Sequence, residues 1–205
     1  MSCRLFFKSR GWLAAVGVCI AIELSLVLWG GLAFEVRHGD SFYEAVPIQV
    51  PAQIVPAMLL LYGSSSAHQA LERQAGRRIA ALQLSAVTLG GVVVAAAALV
   101  PAYAHPNAGT LNPLAGVSAF VGMYGIGLAA SVLIDRRLAG IPSLVPVLAP
   151  LTFDPTRIPG HSWWSFVIPG DESRSLNPAS LGWLIVGILL ATIFVTRAPL
   201  LRRND

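Results

Sequence analysis

The chain has 205 residues, of which 55% are hydrophobic and 12% charged, and its 14 Lys and Arg against 10 Asp and Glu leave a net charge of +4. A soluble domain usually carries about twice that charged fraction, so the surplus apolar surface points to lipid and to one compact helical bundle with little chain left for a soluble catalytic head. The basic residues stand in short clusters between apolar runs rather than along one face, which sets nucleic acid aside as a partner.

Six apolar segments follow one another, at about residues 11–33, 47–64, 78–103, 113–134, 138–153 and 179–196. The first follows Arg4, Lys8 and Arg10 and a Leu5-Phe6-Phe7 patch suited to the membrane interface. It is too long for the apolar region of a cleaved signal peptide, and Val18 stands where a lipoprotein site needs a small residue before its cysteine. Cys3 and Cys19 lie at different depths, so no disulfide is expected. A polar loop is expected from Phe34 to Val46.

Segment two carries Pro47, Pro51 and Pro56 and should be kinked or partly unwound. The linker Ser65 to Arg77 is too hydrophilic for the membrane, but Ala67, Ala70, Leu71 and Ala75 recur at near-helical spacing and predict a short amphipathic helix. Segment three is long and nearly uncharged, and a turn-rich stretch from His105 to Asn112 leads into segment four. Small residues at Gly90, Gly91, Ser118, Gly122, Gly125 and Gly127 predict close helix packing. Segment five is short for a crossing and holds Pro142, Pro146 and Pro150, so a re-entrant course is an alternative. Asp154 to Pro178 is the longest polar stretch, where Trp163, Trp164 and Phe166 suggest short helices resting at the interface.

With the N-terminus in the cytoplasm, 11 of the 14 basic residues lie inside: Arg4, Lys8, Arg10, Arg73, Arg77, Arg78, Arg136, Arg137, Arg197, Arg202 and Arg203. Arg37, Arg157 and Arg174 lie outside with six acids. This asymmetry supports an all-α, polytopic bundle of six transmembrane helices in the cell membrane, both termini cytoplasmic. A four-span arrangement is rejected because it puts Arg73, Arg77 and Arg78 outside.

Few residues offer chemistry. Glu23 is the one ionisable side chain within a span, and no second acid, histidine or base shares its depth. It reads either as a proton-coupling or substrate-contact carboxylate, or as one neutralised or hydrogen-bonded within the bundle. The four histidines fall in loops; His38, Asp40, Glu44 and His105 lack the close spacing of a metal site, so no metal is expected. No nucleophile elbow is present, and Lys8, the single lysine, lacks the glycines of a P-loop, so the chain is not expected to be an enzyme.

The pattern as a whole resembles the membrane subunit of an ATP-binding-cassette exporter of the type-2 permease class. The likeness rests on the basic N-terminus with its interfacial patch, the six spans, the charged linker Leu71-Glu72-Arg73-Gln74-Ala75-Gly76-Arg77-Arg78 and the outer stretch with Trp163-Trp164. It implies that residues around Ala67 to Arg78, notably Ala67, Leu71, Glu72, Arg73, Arg77 and Arg78, form the helix that couples to a separate ATPase. That subunit would bind ATP and Mg; this chain would hold no cofactor. The resemblance also implies a hairpin at Asp154 to Pro178 capping the transport path, and a second permease subunit, identical or not, completing it. The alternatives are a membrane accessory or anchoring subunit that transports nothing, and a lipid-modifying enzyme using Asp135-Arg136-Arg137 and the Trp163-Trp164 loop.

Overall fold

The computed structural model describes residues 11–29, 32–38, 42–64, 77–104, 114–134, 138–152 and 176–197. These are mostly helical: α1 (Trp12–Trp29), α2 (Gln49–Ala52), α3 (Ile54–Ser64), α4 (Arg77–Ala97), α5 (Leu99–Ala104), α6 (Ala115–Ala130), a 3-10 turn (Ile141–Leu144) running into α7 (Val145–Thr152), and α8 (Pro178–Arg197). One antiparallel hairpin joins α1 to α2, made of β1 (Ala33–His38) and β2 (Phe42–Pro47).

Prolines set the interruptions. A proline removes the N–H that would bond the carbonyl four residues earlier, and its ring crowds that carbonyl. Pro56 therefore acts at Ala52, and α2 gives way to α3 at Gln53, whose N–H bonds three residues back to the Val50 carbonyl. Pro101 acts at Ala97 in the same way, and α4 gives way to α5 at Ala98. In the fifth segment Pro142, Pro146 and Pro150 repeat at four-residue steps, and the described helical run is Ile141 to Thr152. At roughly 1.5–2 Å per residue that run falls well short of a 30 Å hydrocarbon layer. The start of α8 is conventional: Asn177 Oδ1 accepts the Ala179 N–H at 2.9 Å, and Pro178 occupies the first helical position.

The polar loop expected from Phe34 to Val46 is instead a hairpin over its described residues. Its strands pair in register from Ala33 opposite Pro47 to His38 opposite Phe42. The reason lies in Ala-Phe-Glu-Val-Arg-His and Phe-Tyr-Glu-Ala-Val-Pro, where aromatic and β-branched residues, which favour extended backbone, recur at short steps between the charged ones. Val46 is buried and ties the hairpin to the helices.

The helical segments alternate in direction. Ala15 lies against Gly63, Cys19 against Pro56 and Glu23 against Gln53, so α3 runs back along α1. Trp12 rests on Gly90, and α5 then follows α1 further along, so α4 and α5 run with α1. Tyr124 packs on Gly91 and donates its hydroxyl to the Val87 carbonyl at 2.9 Å where α6 comes back along α4. Ser143 Oγ donates to the Met123 carbonyl at 2.7 Å and Ala139 sits beside Gly127, so the chain turns again alongside α6. Finally the Asn177 N–H donates to Ser118 Oγ at 3.1 Å, and Leu184 meets Gly125, which makes α8 parallel to α6.

The sixth helix, α6, is the axis. Every residue from Ala115 to Gly125 is buried, and a helix covered on all sides must be apolar and slender on all sides. Phe120 and Tyr124 stack within it at 5.5 Å between ring centroids. The outer helices are apolar on their exposed sides as well, with Leu13, Leu24 and Leu28 on α1, Leu89 and Val92 on α4, and Ile185 and Leu189 on α8 facing outward. Two runs, Trp12–Trp29 and Ala81–Pro101, are long and apolar enough to cross a membrane, and with 28% and 39% of them buried most of that apolar surface is external.

The α6–α8 crossing depends on absent side chains. A Cβ at Gly125 would enter the backbone of Trp183 and Leu184, and one at Gly187 would lie 2.5 Å from the Gly125 carbonyl oxygen. Gly125→Leu should therefore cost at least the roughly 1–3 kcal/mol typical of overpacking. Gly182→Leu, which enters open space, should stay within about 0.5 kcal/mol of wild type. Reversible unfolding in mixed micelles measures both.

Candidate functional site

The buried residues of α1 are Trp12, Val16, Cys19, Glu23 and Leu26, spaced four and three apart along one stripe. Helix phase alone therefore carries Glu23 inward with the packing residues. It is fully buried, as is Gln53, the residue at the break between α2 and α3. Gln53 Nε2 donates to Glu23 Oε2 at 3.1 Å. One turn earlier on each partner the seam stays partly polar: Cys19 Sγ donates to the Pro56 carbonyl at 3.5 Å, and Gln49 is buried at 8% exposure.

The interrupted helix places Gln53 where it is needed. Pro56 opens the backbone at this position, and the carboxamide is directed from the opening towards α1. Gly116 of α6 closes the far side, with room for a Cβ only 3.8 Å from Gln53 Nε2. The pair is thus walled by α1, the α2–α3 break and the first turn of α6.

One bond does not complete the pair. Glu23 Oε1 and Gln53 Oε1 are both buried without a hydrogen-bond partner, leaving one acceptor on each group and no donor between them. Orphaned buried oxygens of this kind are rare in folded proteins and mark sites where something else is bound or moved.

Glu23 is thus placed in the bundle interior, and its partner there is not a second acid, a histidine or a base but the uncharged Gln53. A signal was present: Gln49 and Gln53 are one helical turn apart in an otherwise apolar, proline-punctuated run. Of the residues expected to contact a separate ATPase, Arg77 and Arg78 form the start of α4; Ala67, Leu71, Glu72 and Arg73 lie outside the described residues, as do Trp163 and Trp164. No family model, curated protein or solved structure matches the chain.

Removing one member of the pair should cost more than replacing it in kind. Gln53→Leu leaves Glu23 without its donor and should destabilise the bundle by about 1–3 kcal/mol. Glu23→Gln, which keeps the size and a hydrogen bond to Gln53, should cost less, and Glu23→Leu combined with Gln53→Leu should recover part of the single-variant loss. Unfolding of the four proteins in one micelle system gives the comparison.

Proposed function

We propose that the chain is the membrane-spanning subunit of an ATP-driven exporter, a six-span bundle with both termini in the cytoplasm. In this reading it pairs with a second permease subunit to form the substrate path and couples through residues around Ala67 to Arg78 to a separate ATPase.

The observation that carries this reading is the alternation of helix direction taken with the arginines. Alternation gathers the start of α1, the end of α3, the start of α4, and the ends of α6 and α8 at one end of the bundle. The sequence adds Arg4, Lys8, Arg10, Arg73, Arg77, Arg78, Arg136, Arg137 and Arg197 beside those same ends. A cytoplasmic face collects basic residues in this way. The parallel course of α6 and α8 further supports a return crossing between them, which the short α7 alone does not span. Energy for transport has to come from elsewhere, because the sequence contains no P-loop.

Single-cysteine labelling in a background lacking Cys3 and Cys19 tests the topology. Cysteines replacing Asp40, Ala108 and Glu172 should react from outside, and those replacing Ala75 and Arg137 only from inside; external labelling at Ala75 would overturn the six-span reading.

The ATPase partner has its own test. Leu71 is the apolar residue of the linker suited to a groove on a partner, with Glu72 and Arg73 orienting it through weaker rim contacts. Leu71→Asp places a charge against that groove and should cut ATPase recovery in a detergent pull-down at least tenfold, at equal membrane levels. If wild type recovers no ATPase, the accessory-subunit reading replaces the exporter.

A further inference from the structure

We propose that Glu23 and Gln53 form a proton-binding site, in which a proton on Glu23 Oε1 is donated to Gln53 Oε1 and closes a two-bond ring with the Gln53 Nε2–H to Glu23 Oε2 contact. The two oxygens without partners belong to the two groups already joined by one hydrogen bond. A carboxyl and a carboxamide are complementary when the acid carries its proton, since each then offers one donor and one acceptor. A single proton shared between the two groups satisfies both orphaned atoms.

The surroundings favour a neutral occupant. Among the described residues, the elements packed against α1 contribute Cys19 from α1 itself, Tyr62 from α3, Arg77 and Arg78 from α4, and Tyr103 from α5. Tyr62 and Tyr103 are 60% and 72% exposed and face away. Arg77 and Arg78 precede Gly90 by three turns of α4, while Glu23 follows Trp12 by three turns of α1, so the start of α4 lies roughly 30 Å away along the bundle. The N-terminus of α6 meets Gln53 through Gly116, and none of its N–H groups reaches either orphaned oxygen. Among the described residues, an anion at this place would have one hydrogen bond, no cation and an amide oxygen beside it, a combination that a buried site in an apolar bundle penalises heavily.

Losing the proton therefore sets α1 against the α2–α3 break, and the site links proton occupancy to the closure of that seam. The assignment does not use the ATPase or the direction of transport, so it stands or falls separately from the exporter reading.

Infrared spectroscopy of the full chain in phospholipid vesicles at neutral buffer pH tests it. Wild type should show the carbonyl stretch of a protonated carboxyl that shifts in heavy water and is missing from Glu23→Gln. A Glu23 signal found only as carboxylate would overturn the proposal. Should Glu23→Gln fail to fold, Gln53→Met serves: it removes the acceptor, so the carboxyl stretch should move to higher frequency, and an unmoved band would overturn the ring. A structural role alone predicts neither band. On raising the pH, wild type should lose the seam's stability while Glu23→Gln does not, because only wild type has a proton to give up there; equal loss in both would also overturn the assignment.

Discussion

Everything in this bundle is arranged around a helix that has no outside. Because α6 is enclosed over its first three turns, its neighbours can reach it only as closely as its side chains allow, and Gly116, Gly122, Gly125 and Gly127 keep those side chains small. The parallel neighbour α8 approaches closely enough that its own Gly187 abuts the Gly125 carbonyl. In an apolar medium such packing is a principal source of helix association, since burying a leucine among leucines gains little over leaving it in lipid. Tyr124 shows the complementary device. It is the bulky member of α6, and it fits because Gly91 gives way opposite it and because the Val87 carbonyl accepts its hydroxyl.

Polar groups within such a packing have to be matched one for one. The serines do this locally or across a helix pair: Ser143 with the Met123 carbonyl, Ser118 with the Asn177 N–H, Ser180 with the Asn177 carbonyl. Each of these bonds joins elements distant in sequence or fixes a helix start, so polarity contributes specificity where dispersion contributes cohesion. The Glu23–Gln53 pair departs from this pattern by retaining two unmatched oxygens on groups that are already joined by one hydrogen bond. It is this contrast, more than the presence of a buried carboxyl, that separates the pair from ordinary bundle packing.

Much of this was legible in the residues. Segments one, three, four and six are long apolar runs, and they reappear as α1, α4 with α5, α6 and α8 with boundaries displaced by a few residues. The kink in segment two followed from Pro56, whose effect on the carbonyl of Ala52 is a matter of covalent structure. The hairpin was not foreseen because Glu35, Arg37 and Glu44 make the stretch polar overall, and polarity says loop unless the positions of Phe34, Val36, Tyr43 and Val46 are weighed as well. Gln53 was passed over for a different reason: a glutamine is uncharged and seems unremarkable in a span until it is known which residue stands opposite, and pairing across helices is a tertiary fact. The heptad-like spacing of Trp12, Val16, Cys19, Glu23 and Leu26 did carry the inward placement of the carboxyl.

The breaks described above also fall at one height. Glu23 faces the break at Gln53, and Gln53 adjoins Gly116 in the first turn of α6. Seven residues beyond Gly91 is the break at Ala98, and seven residues before its partner Tyr124 is Val117, again in that first turn. Asn177, where α8 begins, meets Ser118 at the same height. On one side of this plane lie the continuous lengths of α3, α4, α6 and α8; on the other lie the end of α1, the hairpin, α2 and α5. Among the described residues, only α1 passes through without a missing backbone hydrogen bond or a terminus, so of these elements it is the uninterrupted strut between a stiff body and a small cap, and rocking of that cap bends the described bundle at the level of the carboxyl.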